Sequence, residues 1–217
     1  MPRSFTYSAL VLRVRACGES NREAWFLTAE EGLIKATVFG GPKSRLRAQV
    51  APFHEGTLWV YHDPVRDSRK VTDFDVISWR PGIRELLERA MTADALAETI
   101  LFSHGGGGAW PAAVKLAGKV LDSLNEADAA ACSRIAACFL WQWAGILGVR
   151  PEISGYAASS PQPDSQARLW LKSIETLPPA ELSMPPIDES SLEEAKALCK
   201  TVLAGAFGKR LSTWENI

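Results

Sequence analysis

"FTYSALVLRVRACGESNREAWFLTAEEGLIKATVF", residues 5–39, is the stretch on which the fold turns. Its first third alternates. Leu10, Leu12 and Val14 read as one side of a strand, and Val11, Arg13 and Arg15 as the other. A period of two over residues 5–15 predicts a strand with one wet face. Residues 17–21, "CGESN", are a turn by composition. "REAWFLT" (22–28) is a second strand, residues 30–32 a tight turn with glycine supplying the permissive backbone, and "LIKATVF" (33–39) a third strand. Further on, "GTLWVYH" (56–62) and "RKVTDFDVI" (69–77) supply a fourth and a fifth. Five short strands with one longer connection after the third fit a small closed barrel, because an open sheet of this size leaves edges that need cover. An SH3-like barrel gives a similar pattern, and the spacing favours the OB-fold only slightly.

At "WRPGI" (79–83) the texture changes to helical periodicity. Residues 83–102 are amphipathic, with Leu86, Leu87, Ala90, Met91 and Leu96 available to a core. Residues 109–124 form a second helix, with Pro111 tolerable in its first turn, and residues 126–148 a third that stops near Gly148 before Pro151. A loop rich in Pro, Ser and Gly follows at 151–166, then a short helix at 165–174, an irregular stretch, and a final helix at 191–207. The expected fold is therefore α+β and multidomain, with a five-stranded OB-type barrel over 1–80 followed by an all-helical part over 81–217.

Composition narrows the function by exclusion. The 217 residues carry a net charge of −1, but the first 80 hold 12 Lys+Arg against 9 Asp+Glu, and the remainder is mildly acidic. A modest basic patch on the N-terminal part follows. The four cysteines form no CxxC pair, and the start of the chain does not read as a signal peptide, which points to the cytoplasm. The most apolar stretch, 135–149, is interrupted by Gln142, is bracketed by Arg134 and Arg150, and is too short for the ~18–20 residues of a membrane span. His54, His62 and His104 are scattered. Cys132 and Cys138 read as small buried apolar residues, and Trp141 and Trp143 as packing. "GGGG" (105–108) lacks the frame of a phosphate loop. No general acid and base with an orienting third group stand out, so the expectation is a non-enzymatic protein without a cofactor.

The basic content gathers at "FGGPKSRLRAQVAPF" (39–53). Read as an extended segment, it projects Lys43, Arg45 and Arg47 from one side, after a Gly40-Gly41 pair that lets backbone approach a ligand. Arg13, Arg15, Arg22 and Lys35 lie on strands or strand ends and join them as groove candidates, with Trp25 or Trp59 as stacking candidates. The alternative is a solvated turn with no partner.

The same residues carry a likeness. Ala9–Arg13 ("ALVLR"), Gly18-Glu19-Ser20-Asn21-Arg22, Leu27-Thr28, Gly32-Leu33, Gly40, Lys43-Ser44-Arg45 and Pro52-Phe53 resemble the N-terminal barrel of the bacterial recombination mediator and DNA repair protein family RecO. Asn21 stands where that family more often has Asp. The likeness continues more loosely at 140–153 and 207–214 and is diffuse from 81 to 135. It implies an OB domain that binds single- and double-stranded DNA and anneals complementary strands. It also implies partnership with RecR, contact with the acidic C-terminal tail of single-stranded DNA-binding protein, and help in loading RecA. Lys209 and Arg210 are then candidates to receive such a tail. Many members of the family place CxxCG after "PEL". Here Tyr156 and Ser159 take the cysteine positions by rough register, and no second pair follows, so no zinc is expected. Two rivals remain, a protein-interaction scaffold and an RNA-binding OB protein.

Overall fold

The computed structural model describes residues 3–41, 43–153, 165–175 and 185–217. The chain divides into two compact units. One is Met1–Pro81 with Gly108–Val114, and the other is Gly82–Gly107 with Lys115–Ile217.

The first unit is a closed five-stranded barrel of β1 (Ser4–Cys17), β2 (Asn21–Thr28), β3 (Gly32–Val38), β4 (Glu55–Asp63) and β5 (Ser68–Ser78). The order around it is β1-β2-β3-β5-β4. β1 pairs antiparallel with both β2 and β4, and the cylinder is closed by a parallel bridge between Thr37 of β3 and Lys70 of β5. This is the OB arrangement, and it removes the free edges that five open strands would expose. Its interior is built from Tyr7, Ala9, Val11, Ala24, Phe26, Ile34, Ala36, Val38, Leu58, Val60, Val71 and Phe74, with Val50 reaching in from the β3–β4 connection. An ion-pair latch reinforces the closure. Glu31, in the β2–β3 turn, accepts from Tyr7 Oη at 2.7 Å and from Arg69 Nη2 at 2.8 Å.

Two expectations about this unit need correction. β1 does not keep a single alternation. The register with β2 slips between Val11 and Arg13, leaving Leu12 as a bulge. Before the bulge Tyr7, Ala9 and Val11 face the barrel interior. After it Val14 packs on that interior, and Arg13 and Arg15 are exposed. Val11 and Arg13 therefore lie on opposite faces, as do Leu12 and Val14. The second correction concerns residues 45–49, which are not extended. Arg45–Gln49 is a five-residue helix, α1, with Leu46 and Val50 packed on the barrel core.

The connection is tied back to β1 at the bulge. Phe53 has a left-handed backbone (φ 72°), and its N–H donates to the Val11 carbonyl at 2.8 Å, while the Val11 N–H donates to the His54 carbonyl at 2.9 Å. His54 is buried and donates Nδ1–H to the Gln49 carbonyl at 2.8 Å, a carbonyl being an acceptor only. The buried Arg80 closes this knot, donating to the Phe53 carbonyl at 2.8 Å and to the Glu55 carboxylate at 2.5 Å.

The second unit is helical: α2 (Leu87–Phe102), most of α3 (Trp110–Glu126), α4 (Ala129–Ile146), α5 (Gln166–Ile174) and α6 (Glu189–Phe207). α4 is its centre, with Ile135–Trp141, Trp143 and Ala144 all buried, which explains why its sequence is apolar all round. Cys132, Cys138 and Cys199 are buried, and Cys17 is exposed. α2 starts later than its periodicity suggests. Pro81–Arg84 is a short 3-10 turn, Leu86 is extended, and Leu87 is exposed instead of joining the core. The glycine run at 105–108 has positive φ throughout and ends α2, with Gly105 N–H donating to the Ile100 carbonyl at 2.9 Å. Trp143 and Trp214 donate their indole N–H groups to Ser103 and Thr99 at 3.0 and 2.9 Å. Among the described residues no helix is long and apolar enough to cross a membrane. Tyr156, Ser159 and most of the 151–166 loop lie outside the described residues.

Removing the buried guanidinium leaves the Phe53 carbonyl and the Glu55 carboxylate without their donor. Arg80→Leu is expected to lower stability by about 2–3 kcal/mol, read as a lower urea midpoint. An unchanged midpoint would show that the knot is held by its backbone bonds alone.

Candidate nucleic-acid interface

The barrel register decides which cations meet. Arg13 lies opposite Trp25, and Trp25 opposite Lys35; one rung along, Arg15 lies opposite Glu23, and Glu23 opposite Thr37. On the outward phase of β1–β2–β3 this makes a patch with Trp25 at its centre. The Arg15 guanidinium carbon is 5.9 Å and Lys35 Nζ 6.0 Å from the centroid of its ring. Arg13, Arg15 and Lys35 are exposed, and Trp25 is half-buried. Lys35 is not a free charge, because Glu23 Oε1 stands 3.1 Å from its Nζ. Among the described residues no carboxylate forms an ion pair with Arg13, Arg15, Arg22, Lys43, Arg45 or Arg47.

At the end of the same strands sits Arg22. It shares the interior phase of Ala24 and Phe26 but occupies the mouth of the barrel, opposite Ala16 and Val38. Burial pushes its pKa down, and the neighbouring Arg47 guanidinium pushes it further the same way. An arginine stays charged despite such a shift, which records first its partial burial and then the proximity of a second cation.

Arg47 is brought there by α1. Gly40 (φ 130°) turns the chain, and a side chain at that position would run into the Ser44 hydroxyl, whose oxygen lies 2.6 Å from where a Cβ would stand. Ser44 N–H closes the turn on the Gly41 carbonyl at 3.0 Å. Leu46 and Val50, four apart, then anchor the helix on the core. Residues two apart on a helix point about 200° away from each other, so the expectation that Lys43, Arg45 and Arg47 share one side fails. Arg47 is half-buried beside Arg22, and Arg45 and Lys43 are exposed.

The structure thus brings together Arg22 with Arg47, and Arg13, Arg15 and Lys35 around Trp25. Trp59 stands apart from both groups, opposite Thr6 and Asp73. One pairing escaped the sequence. Phe39, just past the end of β3, is 45% exposed, with Lys70 Nζ 5.4 Å from its ring centroid. Only the parallel β3–β5 bridge, which sequence spacing does not reveal, places Lys70 there. In the second unit Lys209 lies over the Phe102 ring at 4.4 Å and Arg210 is exposed. Burial first, then the neighbouring Lys196, lowers the Lys200 pKa, with Glu193 opposing and Arg210 adding to it.

Residues 1–79 match the family described as Recombination protein O N terminal. The chain is also 34% identical over 94 residues to the DNA repair protein RecO of Pelotomaculum thermopropionicum, a match covering 42% of this chain and 36% of the relative. The matched part thus spans about a third of that relative's length.

The proximity of Arg47 to Arg22 is electrostatically unfavourable. Arg47→Gln is expected to raise the thermal midpoint by about 1–2 °C at low ionic strength, a gain of a few tenths of a kcal/mol that disappears in high salt. A lower midpoint at low salt would mean that Arg47 is bound to an acceptor and not repelled by Arg22.

Proposed function

We propose that this protein, whose residues 1–79 match the family described as Recombination protein O N terminal, is a DNA repair and recombination mediator that grips the nucleic-acid backbone without reacting with it. The observation that carries the reading is a barrel flank on which Arg13 and Arg15 stand exposed beside Trp25, with Arg22 and Arg47 near the end of the same strands and no carboxylate ion-paired to any of the four among the described residues. Annealing needs phosphate repulsion to be shielded while base edges stay free to pair. Cations that contact phosphates do this, and no bond has to be made or broken. Arg22 and Arg47 are the central contacts in this reading. Arg13 and Arg15 extend the track along β1, and Lys43 and Arg45 are mobile additions from the β3–β4 connection. Lys35, already paired with Glu23, contributes least.

Single- and double-stranded DNA are the proposed substrates, and strand annealing, with help to a RecA-type recombinase alongside RecR, the proposed activity. Lys209 and Arg210, just beyond α6, are the proposed receivers of the acidic tail of single-stranded DNA-binding protein. The family match and the barrel support this reading, and the proposed location is the cytoplasm, at the nucleoid.

Salt titration of binding to a single-stranded oligonucleotide tests the core of the proposal. With roughly 3–5 phosphate contacts, log K is expected to fall against log salt with a slope of about −2 to −4. Lys43→Ala, Arg45→Ala and Arg47→Ala together are expected to weaken binding to all sequences alike and to make the slope shallower by up to about 2. A flat salt response would support a scaffold that does not bind DNA. Equal or tighter binding to RNA of the same sequence would move the protein to the RNA-binding class.

A further inference from the structure

Aromatic rings stand among the cations of this face. Along β3, Lys35 and Thr37 alternate with the buried Ile34, Ala36 and Val38, and Phe39, the residue just past the strand, is exposed in the same alternation; Lys35 is paired with Trp25. The two aromatic positions are separated by four residues of strand and one interstrand step, roughly 14 Å. That is too far for the rings to pack on each other, and neither belongs to the barrel core. Each instead has a cation near its face: Arg15 and Lys35 at Trp25, Lys70 at Phe39. A single exposed ring would call for no explanation. Two rings on one outward face, each with a cation at 5–6 Å, repeat one unit twice, a stacking surface with a phosphate partner beside it.

We propose that Trp25 and Phe39 are stacking platforms for unpaired bases, so that this face takes single strands in preference to duplex. The proposal rests on the nucleic-acid reading above and adds selectivity to it. A duplex keeps its base faces in its own stack and has none to offer, whereas an unpaired strand lays bases on aromatic side chains and its phosphates beside the neighbouring cations. Trp59, opposite Asp73 and away from the cation groups, is not a platform.

Fluorescence anisotropy with a short labelled oligothymidylate and with a labelled hairpin duplex provides the test, with each variant's thermal melt checked first. Trp25→Leu and Phe39→Leu are each expected to weaken single-strand binding by about five- to a hundredfold, with the salt slope and the duplex affinity unchanged. Trp25→Tyr should recover most of the loss, because it restores a ring, whereas a merely structural role for the indole predicts no such selective rescue. Trp59→Leu should leave both affinities unchanged. Single-strand affinity that survives Trp25→Leu and Phe39→Leu in a folded protein would overturn the stacking proposal and leave the cation reading standing. Equal losses on oligothymidylate and hairpin would also overturn it, since selectivity is its content. A wild-type protein that binds neither probe would bring down the underlying reading and this inference together.

Discussion

The exchange of backbone hydrogen bonds between Val11 and the Phe53-His54 pair is the constraint on which the interface depends. It sits beside the bulged Leu12, and the bulge sets the direction of everything after it on β1. Had the alternation of Ala9 and Val11 continued unbroken, Arg13 and Arg15 would point into the barrel, where an unpaired guanidinium is penalised by several kcal/mol. One extra residue sends both outward and brings Val14 onto the core in their place. Bulges commonly re-aim side chains near binding sites, and this one aims two cations at the flank of Trp25. The left-handed Phe53 that completes the exchange costs on the order of 1–3 kcal/mol, and the Arg80 hydrogen bond to its carbonyl offsets that strain.

A second tension lies at the barrel mouth. Two guanidinium groups repel, yet α1 holds Arg47 against Arg22. The helix is too short to be stable alone, so its position must come from tertiary packing. Leu46 and Val50 provide it, and burying such side chains is worth about 1.5–3 kcal/mol each when complete, more than a screened like-charge contact at a partly exposed site takes away. Packing energy from the core thereby fixes the position of a cation near Arg22. For the proposed function, this means that the geometry is set before binding, which limits the ordering cost on association.

How much of this the sequence revealed depends on the range of the interaction that decides each feature. The strands were readable because alternation is a local property, and all five lie where it placed them. The phase of β1 was not, because a bulge depends on the partner strand and on the Phe53 tie, forty residues away. Residues 43–47 misled because alternating cations suit an exposed strand. The opposing signal, Leu46 and Val50 at helical spacing, was present but spanned a single turn. The Lys35–Glu23 ion pair needed the β2–β3 register, and Phe39 with Lys70 needed the parallel closure of the barrel. Among the helices, α4 was plain from its length and apolarity. The start of α2 was displaced by the turn that follows Arg80.

The residues that carry the family likeness turn out to be mostly architectural. Thr28 is buried, and its hydroxyl donates to the Gly32 carbonyl at 2.9 Å and accepts from Glu31 N–H at 3.2 Å, which locks the β2–β3 turn. Gly32 has positive φ and lies against Trp110, where a Cβ would come within 2.5 Å of the indole nitrogen. Gly18 and Gly40 supply turn geometry, and Phe53 ties the connection to β1. Such residues specify a barrel and would be needed in an OB domain of this design whether or not it bound DNA. A functional assignment drawn from them is therefore one step removed from function. Of the side chains proposed as the main contacts to phosphate or base, Arg13 and Arg22 lie within the motif, whereas Arg15, Arg47, Trp25 and Phe39 lie outside it. Their arrangement, more than the match that named the fold, is where the claim of DNA binding stands or falls.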